Sequence, residues 1–217
     1  MGRYLVPGGQ VGSIVEDAAG LSGAAAATGW VFTATSATNA GAAGSVIHTK
    51  LTGTLATNES CAIALWFKVA ATQDQALAGV NMGSPGTLMA LELNRPAGGG
   101  NGIYMSCRDA DSSSGDLVMM TNNVRDGQPH HVVAMYDGNA RQLRMYLDGN
   151  PSSNTTVTAE SGSTFKTWAT GIGIGGLTRT NAAPLRPFAG SLWDFQIMRF
   201  APSQDEVQAI RSKGISP

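Results

Sequence analysis

Asp126 to Gly149 reads DGQPHHVVAMYDGNARQLRMYLDG, and this stretch decides the fold. His131, Val133 and Met135 alternate with His130, Val132, Ala134 and Tyr136, the period-two pattern of a strand whose two faces meet different surroundings. Gln142 to Leu147 repeats the pattern. Asp137-Gly138-Asn139-Ala140 stands between the two runs and Asp148-Gly149-Asn150 follows the second. Asp-Gly and Gly-Asn supply the positive-φ residues of tight antiparallel turns. The stretch predicts a β-hairpin entered and left by sharp turns. Pro129, which has no N–H to give to a ladder, belongs at the start of the first strand or on an edge.

Upstream, apolar runs follow one another quickly: CAIALWFKV from Cys61, QALAGVN from Gln75, TLMALEL from Thr87, GIYMSCR from Gly102 and DLVMMT from Asp116. Clusters of Gly, Pro, Asn, Asp and Ser separate them, a spacing that predicts an antiparallel sandwich. Downstream, residues 155–170 read as a strand, a loop and the approach to GIGIGG at Gly171 to Gly176. Phe195 and Ile197 alternate inward on the last strand. Ser203 then caps a short helix with Glu206 reaching back to it, and Gly214 terminates that helix.

The chain of 217 residues, 42% hydrophobic, is long enough to bury roughly 70% of its unfolded surface around one core without metal or disulfide staples. Its net charge of −1, with 13% charged residues, offers no basic field for nucleic acid and no polybasic patch for a membrane. Twenty-eight glycines favour many turns and short strands. Pro7, Gly8, Gly9 and Gln10 interrupt the N-terminus before any signal-peptide core forms, and no apolar run approaches the roughly 20 residues of a transmembrane helix. The expectation is a protein made in the cytoplasm. Cys61 and Cys107 sit in strand-like runs and read as two buried thiols, or as a pair if their strands are adjacent. His48, His130 and His131 are too few and scattered for a zinc site.

Residues 1–45 are rich in Gly and Ala around one strand candidate from Trp30 to Thr35, and bury little apolar area to offset ordering. They are expected to form an arm, with residues 46–217 as the sandwich.

The string D-G-x-x-H-H-V-V-A-x-Y-D-G, followed by Y-L-D-G, resembles the central hairpin of laminin-G-like domains of the concanavalin A-like lectin and glucanase superfamily. Pro129 stands where that family usually has Trp. A second match, Pro187 to Val207 (PFAGSLWDFQIMRFAPSQDEV), is similar to the family's closing strand and helix, with Pro202 in place of a common Leu. The resemblance covers residues from about 60 to 212 and implies an all-β fold, an antiparallel β-sandwich of concanavalin A-like jelly-roll type with one short C-terminal helix.

The superfamily holds hydrolases, lectins and structural modules, so sites must be weighed on their residues. Glycoside hydrolysis needs an acid paired with a second carboxylate. The glutamates Glu16, Glu59, Glu92, Glu160 and Glu206 are isolated in sequence, and Glu92, the one on a strand, reads as solvent-facing. The chain is therefore expected not to be an enzyme. Calcium, which many relatives bind at the rim, would take Asp109, Asp111 and Asp116, although a loop of turn-formers explains the cluster equally and the EF-hand spacing is absent. For a sugar, Trp168 is the best exposed aromatic, whereas Trp193 shares the parity of Phe195 and Ile197 and is expected in the core. The favoured role is a non-enzymatic bacteriophage virion protein, a capsid decoration or tail-associated component, docked on other virion proteins through residues 1–45 and multimeric there. The alternative is a carbohydrate-binding lectin or adhesin module, with or without calcium, that meets a cell-surface glycan.

Overall fold

A computed structural model describes residues 2–4, 14–15, 25–27, 30–32, 36–41, 45–49, 53–56, 58–71, 73–81, 88–93, 102–108, 116–120, 122–152, 156–157, 164–168, 171–179 and 183–213. Two antiparallel sheets face each other. The front sheet runs, in spatial order, through Asn150–Pro151, Gln142–Leu147, Pro129–Asp137, Cys61–Lys68, Ala189–Met198, Ala37–Ala40 and Val31–Phe32. The back sheet runs through Asp116–Met120, Ile103–Arg108, Leu88–Leu93, Gln75–Asn81, Gly173–Ile174, Ile47–His48, Ala25–Ala27 and Ile14–Val15. Short N-terminal strands thus extend both sheets, and Gly2–Tyr4 pairs with residues 195–197 of the last strand. The all-β sandwich with one C-terminal helix expected from the sequence is the observed fold.

Alternation explains the layers. Cys61, Ile63, Leu65 and Phe67 point into the sandwich, as do Val132, Ala134 and Tyr136 from the neighbouring strand. The other parity of the same strands, Ala62, Ala64, Val133 and Met135, packs with Met198 and Val207 as a second apolar layer. That layer lies under the helix Gln204–Lys213, whose Val207 is buried. A front strand apolar on both faces is what a sheet covered on both sides requires. The helix starts as its sequence dictates. Ser203 Oγ accepts from the Glu206 N–H at 3.3 Å and Glu206 Oε2 accepts from the Ser203 N–H at 2.8 Å. Ser203→Ala is expected to lower the unfolding free energy by about 1 kcal/mol in a denaturant titration. Gly214 lies outside the described residues.

The hairpin is as predicted, with Pro129 opening its first strand. Asp148 (φ 53°) and Gly149 (φ 82°) both take positive φ, as a two-residue turn between the paired Leu147 and Asn150 demands. In the first turn the positive φ falls on Arg141 instead of Gly138. Gly138 is needed for a different reason: a Cβ there would stand 2.4 Å from the Glu59 carbonyl oxygen.

Two expectations are corrected. Trp193 is buried as expected, but it does not share the parity of Phe195 and Ile197 and lies on the opposite face of the front sheet. Opposite the Cys61–Lys68 strand, Trp193 pairs with Trp66 while Gln196 pairs with Ala64, so the last strand carries one extra residue, a β-bulge at Asp194 (φ 50°). The extra residue flips the parity, and Leu192 and Phe195 both enter the core while Trp193 stacks on Trp66 at 6.5 Å. Glu92 is not solvent-facing. It is 2% exposed and forms an ion pair with Arg186. The segment carrying Leu185 and Arg186 crosses the outer face of the back sheet there, packing Leu185 against Ala76, Ala90 and Leu177. Cys61 and Cys107 are buried thiols, without a disulfide.

Candidate functional site

Antiparallel register gathers three chain segments at one end of the front sheet. Cys61 pairs with Tyr136 and Ala62 with Met198. The residues just before the first of these strands and just after the other two must therefore meet. They line a pocket of about 390 Å³ formed by Asn58, Glu59, Ser60, Asp137, Asn139, Arg199, Phe200 and Ala201.

Each wall is fixed by local chemistry. Asp137 Oδ1 accepts from the N–H groups of Asn139 and Ala140, both at 3.1 Å, while Oδ2 accepts from Arg144. Ser60 Oγ accepts from the Gly138 N–H at 2.9 Å, which ties the turn to the segment beside it. Arg199 Nη2 donates to Glu59 Oε1 at 3.2 Å. Phe200 is 38% exposed, the one large apolar side chain so exposed among the described residues. An aromatic face bordered by amides, carboxylates and a guanidinium can take a flat apolar surface and orient hydroxyl groups around it.

A second cluster lies where the hairpin's first strand begins, at the far end from the pocket. His130 Nδ1 is 2.8 Å from Asp148 Oδ2 and Nε2 is 3.2 Å from Asp126 Oδ1. Asp148 Oδ1 also accepts from the His131 N–H at 2.8 Å, and the Asp148 N–H donates to the His131 carbonyl. The hydrogen bond to Asp148 raises the His130 pKa, against the pull of burial. Burial alone would raise Asp148, yet hydrogen bonds from the His130 ring and the His131 backbone hold it below its ordinary value. With a carboxylate at each ring nitrogen, His130 ties Asp126 and Asp148 together, and the cluster works as a clamp on the hairpin.

The residues singled out from the sequence lie largely outside what the structure describes. Trp168 ends the strand Thr164–Trp168, which pairs with Gly53–Ala56 outside the two main sheets, and its side chain lies outside the described set. Asp109 and Asp111 fall outside the described residues. Asp116 opens a back-sheet strand, with its side chain likewise undescribed. Among the described residues no group of three His, Cys, Asp or Glu could hold a metal ion. No helix among them is long and apolar enough to cross a membrane. Sequence reasoning missed Phe200, Arg199, Asn58 and Asn139. The available signal was an aromatic placed between the end of the last strand and a helix cap, where a core role is least expected.

Comparison with known proteins matches residues 39–208 to a laminin-G-type family profile described as the concanavalin A-like lectin/glucanases superfamily. Among solved structures, the CBM40 domain of a Ruminococcus gnavus IT-sialidase has 22% identity and a TM-score of 0.56 over 71% of this chain and 83% of that one. The same domain is also solved bound to alpha2,3 sialyllactose. Domains LG4-5 of the mouse laminin alpha1 chain show 15% identity and a TM-score of 0.53, covering 73% of this chain and 39% of that one. A Trypanosoma rangeli sialidase gives 13% identity and a TM-score of 0.64 over 95% of this chain and 31% of its own. A comparison with curated proteins returns no match.

Proposed function

Because this chain belongs to the concanavalin A-like lectin/glucanases superfamily, we propose that it is a carbohydrate-binding module whose sugar sits in the pocket at the end of the front sheet. The observation that carries this reading is the exposed Phe200 on a wall that also carries Asn58, Glu59, Asp137, Asn139 and Arg199. A pyranose presents an apolar patch of C–H groups and a rim of hydroxyls. Phe200 would cover the first, and the exposed amides of Asn58 and Asn139 would donate to and accept from the second. The CBM40 domain solved with sialyllactose supports the class of ligand, since it is built on the same sandwich. Display on a virion draws no support from these relatives, and the lectin reading takes its place.

A glycan array probed with the whole chain tests the proposal. Phe200→Ala is expected to weaken every bound glycan by about tenfold or more, because covering a phenyl face is worth on the order of 1.5–3 kcal/mol when fully buried. The thermal midpoint should change little for so exposed a side chain. An array without hits, or hits that survive Phe200→Ala and vanish with Trp168→Ala, would remove the sugar from this pocket. Repeating the array with EDTA tests a calcium contribution from Asp109, Asp111 and Asp116.

A further inference from the structure

The charges on the pocket wall point to a finer discrimination that rests on the sugar-binding reading: we infer that the pocket selects neutral sugars and rejects acidic ones. Glu59 and Asp137 are the carboxylates of the wall and Arg199 its cation among the described residues. That cation is already engaged, with Nη2 at 3.2 Å from Glu59 Oε1. Asp137 is balanced from behind by Arg144 and by the two N–H groups of its own turn. Each carboxylate of the wall thus has a guanidinium beside it.

A neutral sugar leaves both pairs intact. Its hydroxyls accept from and donate to the exposed amides of Asn58 and Asn139. A sialic or uronic acid brings a carboxylate for which the described residues of the wall offer no cation but Arg199. To reach Arg199 it must share or displace Glu59, which puts two carboxylates on one guanidinium with Asp137 nearby. Like charges so close cannot both be held without cost, and that cost grows as the ligand excludes water. The exchange on Arg199 gains one ion pair by losing another, so the repulsion decides the outcome. The CBM40 domain solved with alpha2,3 sialyllactose, 22% identical to this chain over the aligned residues, was solved with an acidic sugar.

Matched glycan pairs that differ by a single acidic sugar, such as lactose and 3′-sialyllactose, together with neutral oligosaccharides and their uronic-acid counterparts, provide the test against the whole chain. The neutral member is expected to bind at least about tenfold more tightly. If the acidic member binds as well or better, the inference falls and the sugar-binding reading stands. If no member of any pair binds, the sugar-binding reading falls and takes the inference with it. Glu59→Gln supplies a second arm. An exposed pair contributes little to folding, so the variant should remain folded, and releasing Arg199 should bring the neutral-to-acidic ratio close to one. A ratio unchanged by Glu59→Gln would overturn the role given to this ion pair.

Discussion

Replacing Gly79 by alanine is expected to cost at least about 4 kcal/mol of stability, enough to leave a marginally stable domain largely unfolded. Gly79 lies within the back sheet, paired with Ala90 on one side and Gly173 on the other. Its φ is 144°, in a region that L side chains rarely adopt. A Cβ would stand 2.1 Å from the Met89 carbonyl oxygen and 2.8 Å from the Ala90 Cα. Both are backbone atoms of a hydrogen-bonded neighbour, so no rotamer change relieves the contact and the strands must separate. The Gly79 carbonyl also accepts from Thr178, and a displaced strand would lose that anchor. Gly127→Ala separates the two causes. Gly127 has φ 73°, yet its Cβ would meet only Ala70 at 4.0 Å, so the variant should show the conformational penalty alone, about 1 kcal/mol. Denaturant titration of both variants decides the matter. Equal losses would mean that backbone conformation, and not the approach of the neighbouring strand, explains the glycine.

The contrast between these glycines marks what the sequence could carry. The hairpin was legible because period-two alternation and Asp-Gly turns are local signals, and Asp148-Gly149 took the conformation those residues favour. The capping box at Ser203 and Glu206 was legible for the same reason. Trp193 was misplaced because parity propagates along a strand only until a bulge interrupts it, and nothing local to Trp193-Asp194-Phe195 announces the extra residue. Glu92 was misread because its partner, Arg186, lies 94 positions away on a segment that covers the sheet. The pocket shares that difficulty. Asn58, Asn139 and Phe200 come from three separate segments, and only the register of three strands brings them to one place. Gly138, read as a turn residue, proves to be the point where two of those segments touch.

Acidification from pH 6.5 to about 4 is expected to remove about 3 kcal/mol of stability through His131. This ring is 1% exposed, packs 5.1 Å from Trp66 between ring centroids, and has no hydrogen-bond partner at Nδ1. Burial, with the Arg211 guanidinium adding to it, lowers its pKa from 6.5 to about 4. Between those values the unfolded chain binds a proton that the folded chain refuses, so stability rises with pH across the interval and is fully present above 6.5. The neighbouring His130 has the opposite sign. Its folded pKa is raised, so its contribution is complete below 6.5 and is lost as pH climbs through the folded value. Asp148, with its pKa lowered, contributes above about 3.8 and loses that contribution only in stronger acid. The acid limb near pH 5 therefore belongs chiefly to His131, with a contribution of the same sign from His48, whose pKa burial also lowers. His131→Phe, also a flat ring but without a proton to bind, should make that limb shallower, leaving the part that His48 supplies, with the decline above pH 6.5 attributable to His130. Unfolding free energies measured at half-unit steps from pH 4 to 8 would show it. An acid slope as steep in His131→Phe as in the unaltered chain would mean that the ring beneath the helix is reached by water and does not resist protonation.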